Sequence, residues 1–358
     1  MTVDGGTTAG ASARGGRRER EAGGRRGDAE LGGERRQQGL RAGHARAETA
    51  VAGRPALVPD VCRLHRCHCQ RRWVAGCGPS TWDGPRRSPR RPGAGPATVA
   101  DVRQTFMVTD DEGRDVDVPL PVQRVVSIVP SLTEALAESA PGMLVGATDW
   151  CTHPAGLDVP RLRGTKNPDV DAIVALAPDL VLANQEENRL PDLDALRAAG
   201  VAVYVTDIRT LEGLHGAFDS LGRMLAACGL DEPPWLVEAR SAWAAVPEPA
   251  ARRRAVVPIW RKPWMACGRD TFTGAVLARL GVDNVLADDP ERYPKFDPAA
   301  LPEHDLVVLP DEPYLFTADD GPEAFEAPSA LVSGRLLTWY GPSLAEAAAV
   351  LPGALEVG

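Results

Sequence analysis

The sequence predicts an α/β protein: two parallel-sheet α/β lobes joined by a helical connection, preceded by a disordered N-terminal segment. Three observations carry that prediction. From Val125 onward, short apolar runs alternate with helical patterns, as parallel βαβ units require. The alternation runs twice, because IVALAPDLVLANQEEN in the first half corresponds to PAALPEHDLVVLPDEP in the second. Composition also changes near residue 100. Residues 1–100 carry 19 Arg, no Lys and 9 acidic residues, a net charge of +10, whereas residues 101–358 carry a net −19.

The expected units are a disordered Arg/Gly-rich segment over 1–106, an N-terminal lobe over 107–210, a helical connection over 211–246 and a C-terminal lobe over 247–358. Stretches such as GGRRER and GGERRQQGL hold no apolar period and cannot bury enough surface to offset their ordering entropy. A nucleic-acid arm is disfavoured there, because no Phe or Tyr is interleaved to stack on bases. Cys62, Cys67, Cys69 and Cys77, with His65 and His68, offer zinc-type ligands but not the spacing of a paired knuckle. Met107 opens MVTDDEGRDVDVPLPVQRVV and is the expected start of translation.

In the first lobe, VVSIV (125–129) reads as a buried strand and Ser131 to Glu134 as a capping box opening a helix. LVGAT (144–148), residues 179–183 and VAVYVTD (201–207) read as further strands. Two helices follow, Leu211 to Cys228 and Pro234 to Ala245. In the second lobe AVVPIW (255–260), DLVVLP (305–310) and ALVSG (330–334) read as strands. FTGAVLARLG (272–281) and SLAEAAAVL (343–351) read as helices.

Lobes of this kind bind ligands at the carboxyl ends of their strands. Rare residues gather there: this chain has only 8 Trp and 3 Lys, yet PIWRKPW sets two Trp around one Arg and one Lys. The candidate ligand-binding residues are Trp150, Lys166, Asn184, Gln185, Arg209, Trp260, Arg261, Lys262, Trp264, Tyr293, Phe316, Trp339 and Tyr340. Taken singly, each aromatic is more readily a packing residue. Together with the cations they describe a wall. His153 is the one candidate metal ligand, with a structural hydrogen-bonder as the blander alternative. Trp235 and Trp243 are assigned to packing.

RVVSIVPSLTEAL, LVGATDWCTHP, IVALAPDLVLAN, GVAVYVTD and GRDTFTGAVLARLGVDNVL resemble the helical-backbone metal receptors, the substrate-binding proteins of ABC importers for vitamin B12, iron–siderophore or haem. The resemblance covers roughly 122–352. It implies a class III substrate-binding fold and a ligand between the lobes, with Trp150, Tyr293 and Trp339 near aromatic positions of the B12-binding members. Two other cleft aromatics are unmatched, at Thr165 or Lys166 and at Asn184. The resemblance also implies a permease partner docked through acids, here Glu186 or Glu187, and more weakly Glu312. Lys166, Arg209, Arg261 and Lys262 would make the cleft more cationic, suiting an anionic chelate.

The expected function is binding of a metal-containing chelate, cobalamin first, without a catalytic cofactor and without nucleic acid, by a monomer. The alternative is a tetrapyrrole-metabolism enzyme such as a chelatase. Against it, no phosphate loop, G-x-S-x-G or H-E-x-x-H motif occurs. No run of 18 apolar residues occurs, and no leader is read from Met1 or Met107, so a cytoplasmic location is expected.

Overall fold

The computed structural model describes residues 104–357. The Arg-rich segment and its Cys/His group lie outside the described residues. Strands β1 (Thr105–Thr109) and β2 (Asp115–Pro119) open the described chain as an antiparallel hairpin that the sequence reading did not anticipate. It straddles the expected 106/107 boundary. In β2, Val116 and Val118 are buried while Asp115 and Asp117 are exposed, the period-2 pattern of a half-covered strand.

The first lobe follows as β3 (Val125–Ser127), α1 (Pro130–Ser139), β4 (Leu144–Ala147), the small hairpin β5 (Arg163–Gly164) and β6 (Asn167–Pro168), α2 (Val170–Ala175), β7 (Leu180–Asn184), α3 (Leu190–Ala198) and β8 (Val203–Thr206). The sheet order is β4-β3-β7-β8, all parallel. Parallel strands are covered on both faces, and β7 and β8 are buried at every position. The expected capping box does not form. Pro130 occupies the first turn of α1 behind an extended Val129, so Ser131 sits inside the helix and no side chain caps it. Asp169 does cap α2, accepting from the Ala172 N–H at 3.1 Å.

The connection is α4 (Ala217–Ala227) and α5 (Pro234–Ala245). α4 starts later than the expected Leu211. Gly213 adopts φ 90°, and residues 211–216 form a closed turn in which the Ala217 N–H donates to the Thr210 carbonyl at 2.9 Å. The rise of α5 is about 18 Å. Its Trp235 indole donates to Ser139 Oγ of α1 at 2.9 Å, and its Trp243 indole to the Leu344 carbonyl at 2.9 Å. The helix is therefore pinned to both lobes by the two Trp assigned to packing.

The second lobe comprises β9 (Arg253–Val256), β10 (Pro258–Trp260), β11 (Met265–Ala266), α6 (Phe272–Arg279), β12 (Val282–Asn284), β13 (Leu306–Pro310), β14 (Ser329–Val332), α7 (Gly334–Thr338) and α8 (Ser343–Leu355). Its parallel sheet runs β12-β9-β13-β14. Numbered within each lobe, both orders are second, first, third, fourth, so the repeat seen in the sequence is a repeat of topology. AVVPIW is two strands rather than one. Pro258 cannot donate to a parallel ladder, and β10 turns out of the sheet to pair antiparallel with β11.

One apolar core runs from Val125 and Leu132 through Phe218 and Trp243 into Leu306 and Leu344. A smaller cluster around Ile128, Val181 and Leu196 lies in the first lobe, and one around Val307, Leu309 and Phe316 in the second. Among the described residues, no helix is long and apolar enough to cross a membrane.

Candidate functional site

The carboxyl ends of the first-lobe strands present a polar, internally bonded surface. Asn184 closes β7, with its amide donating to the Thr206 carbonyl (3.1 Å) and Thr206 Oγ1 (3.0 Å). Its side-chain oxygen accepts from the Glu186 (2.9 Å) and Glu187 (3.2 Å) N–H groups. Asn184 is 1% exposed. It shapes the turn and has nothing left for a ligand, which corrects the sequence reading. Gln185 is exposed beside it.

That turn aims two acids and receives a lysine. Lys166, in the loop of the β5–β6 hairpin, donates to the Glu186 carbonyl oxygen. Glu187 is hydrogen-bonded by Thr165. Trp150, half-buried, rests on the same hairpin, its indole nitrogen beside Gly164. Burial holds the Glu186 carboxyl up at about 7, with Glu187 adding to the shift and Arg292 opposing it. Burial raises Glu187 as well. Arg292 belongs to the second lobe and reaches Glu186 at 3.5 Å. Both acids thus have basic and polar groups of the chain itself as neighbours.

Elsewhere the lobes are fastened firmly. Glu134 of α1, 6% exposed, is ion-paired with Arg335 of α7. His153, after β4, packs edge-to-face on Trp339 with ring centroids 5.4 Å apart. Tyr340 is buried, hydrogen-bonded to Ser131 and packed edge-to-face on Phe272 at 5.6 Å. Burial pushes its phenol well above the usual value. His153 has an aromatic neighbour from the other lobe, and among the described residues no group of three or more His, Cys, Asp or Glu stands where it could hold a metal ion.

The second-lobe aromatics divide. Trp339, Tyr340 and Tyr293 lie toward the first lobe or the shared core. Trp264 does not: it stacks on Phe316 at 5.9 Å and packs against Phe296 (5.8 Å) and Phe325 (5.3 Å). Phe316 is 3% exposed. These two residues, chosen as ligand wall, build a core within the lobe instead. Trp260 packs edge-to-face on Tyr314 at 5.6 Å, at the rim of that cluster.

The two arginines among the cations are neutralised. Arg209 makes a bidentate bridge to Asp207 at 2.7 and 2.8 Å. Arg261 pairs with Asp320 and Glu323 and covers the Trp264 ring at 5.1 Å. Lys262 is exposed. The added positive charge expected of Arg209 and Arg261 is therefore cancelled locally, whereas Lys166 and Lys262 face no paired carboxylate side chain in these contacts. Sequence reasoning missed Arg292, Glu134 with Arg335, and His215, whose Nδ1 lies 3.2 Å from Asp207. Arg292 was one residue from Tyr293 and within reach of the same inspection. His215 carried no signal, because the turn that delivers it was read as helix. A groove of about 540 Å³ runs along one end of the lobe junction, between Arg209 and His215 on one side and Arg269, Asp270, Thr271 and Asn284 on the other.

No family model matches the chain. The chain is similar to a vitamin B12-binding protein of Vibrio cholerae, 24% identical over 185 residues, 49% of this chain and 66% of the relative. The match thus spans just under two thirds of that relative's length. Periplasmic heme-binding protein RhuT from Roseiflexus sp. RS-1 superposes with a TM-score of 0.56 at 19% identity, over 65% of this chain and 98% of that one. CeuE of Helicobacter pylori, solved as a Ni-His complex, gives a TM-score of 0.60 at 13% identity, over 71% and 89%. The structural likenesses fix the fold: the chain has the two-lobed α/β fold of these binding proteins.

Proposed function

We propose that the chain binds a metal-containing chelate between its lobes, cobalamin first, as the substrate-binding component of ABC-type uptake. The observation that carries this reading is the junction itself. Two sheets of the same strand order are joined so that residues after β4, β7 and β8 confront residues of the second lobe at Trp339, Arg292 and Asp270. Aromatic and polar groups mixed in this way hold a large flat ligand rather than perform acid–base chemistry. Self-neutralised cations favour a ligand of low net charge over a polyanion, and the vitamin B12-binding relative agrees with that order of preference. A permease partner and a location outside the cytoplasmic membrane follow the same likeness, in place of the cytoplasmic expectation.

The test is a titration of the full chain with cyanocobalamin, haem and a ferric siderophore, followed by quenching of Trp fluorescence. Sub-micromolar quenching by cyanocobalamin, weakened about tenfold by Trp150→Ala, roughly 1.4 kcal/mol, supports the reading. Silence from all three ligands overturns it.

A further inference from the structure

Away from the α1–α7 seam, charges of opposite sign meet across the cleft. Glu186 follows β7 in the first lobe, and Arg292 lies between β12 and β13 in the second. Arg292 Nη1 donates to Glu186 Oε2 at 3.5 Å, a contact longer than the roughly 2.8 Å of a tight charge-assisted bond. The two side chains are 30% and 24% exposed, so the gap between them is reachable from solvent. Neighbouring cations are engaged already, Arg209 by Asp207 and Lys166 by the Glu186 carbonyl. The other titratable groups acting on Glu186 are Glu187 and Asp207 from its own lobe. Cys267 and Tyr340 approach from the second lobe. With Asp207 and Arg209 cancelling one another, Glu186 and Glu187 face Arg292 and Lys166, and both acids lie on the first-lobe side of the gap.

We propose that Glu186 and Arg292 form the specificity-determining pair of the cleft, selecting a ligand edge that carries uncharged primary carboxamides over one that carries carboxylates. The inference rests on the chelate-binding reading and deepens it. A primary carboxamide has both a donor and an acceptor. It can give an N–H to the Glu186 carboxylate and take one from the Arg292 guanidinium, replacing the long contact between them with two shorter hydrogen bonds. A carboxylate has no proton to give and meets Glu186 and Glu187 at close range, so the two acids act as a repulsive element against it. A corrin is rimmed by carboxamides, whereas haem and many siderophores present carboxylates. The same geometry makes the choice depend on pH. Once protonated, Glu186 becomes a donor that a carboxylate can accept from, and with its carboxyl held up at about 7 that change falls between pH 8 and pH 5.5.

The experiment compares cyanocobalamin with its monocarboxylic acids, in which one side-chain carboxamide is hydrolysed, and with haem. Binding to the full chain is read by Trp quenching. At pH 8 cyanocobalamin should bind at least tenfold more tightly than one or more of the monocarboxylic acids. Glu186→Gln should bring that ratio within threefold, as should lowering the pH to 5.5, and the Gln variant should respond less to the pH change than the native chain. Arg292→Gln should act in the opposite sense and widen the ratio, so a general loss of structure cannot imitate the pattern. A ratio unchanged in Glu186→Gln overturns the specificity pair while leaving the binding reading intact. No quenching by any ligand overturns both.

Discussion

The two lobes share one strand order and differ in what they do with the ends of those strands. In the first lobe the ends are polar and bonded to one another, as Asn184, Thr206, Asp207 and Arg209 show. In the second, Trp264, Phe296, Phe316 and Phe325 turn toward each other and make a core of their own. The difference teaches that topology places a residue at a strand end but does not decide whether it faces the cleft. An aromatic there is free to pack inward, and burial of its surface rewards it for doing so.

The comparison breaks most visibly at Trp264. Trp264→Ala should cost about 3 kcal/mol in urea denaturation, with ligand affinity within threefold of the native protein. Stability left intact alongside a tenfold loss of affinity would return Trp264 to the ligand wall and erase the contrast between lobes. Asn184→Ala is the first-lobe counterpart. It strands the Glu186 and Glu187 N–H groups and should cost about 2 kcal/mol, while loosening the turn that carries both acids. Affinity should fall with stability there, unlike at Trp264.

The smallest effect is the pH dependence of stability. The Glu186 carboxyl is raised from its ordinary 4.5 to about 7, so between those values the folded state keeps a proton that the unfolded state releases. Folded-state stability therefore declines as pH rises through that window. Glu187, raised by burial, acts in the same direction. The side chain of Glu186 is partly exposed, and screening should hold its share to about 1 kcal/mol. Urea midpoints at pH 5 and pH 8 should differ by less in Glu186→Gln than in the native chain. An equal difference would remove Glu186 as its source.

Much of the fold was legible because it rests on local pattern. The buried runs at 125–129, 144–148, 201–207 and 305–310 each contain a strand, and Pro234 to Ala245 is helical throughout. The misreadings have two causes, one distant and one local. Ser131 to Glu134 satisfies the spacing of a capping box, but Glu134 has a stronger partner in Arg335, some two hundred positions away and in the other lobe. Leu211 continues an apolar period that Gly213 and Gly216 interrupt. Short-range rules cannot see a partner brought up by the rest of the chain.

By itself the sequence determined the α/β class, the duplication, the helical link and the set of residues gathered at strand ends, because hydrophobic period and turn chemistry act over a few residues. Only the tertiary structure decided which of those residues meet across the junction. Pairing Glu186 with Arg292, His153 with Trp339 and Glu134 with Arg335 requires both lobes to be folded and held together by the core that runs through α5. Neutralisation of charge is likewise a property of distance, and distance between lobes is set by packing rather than by spacing along the chain.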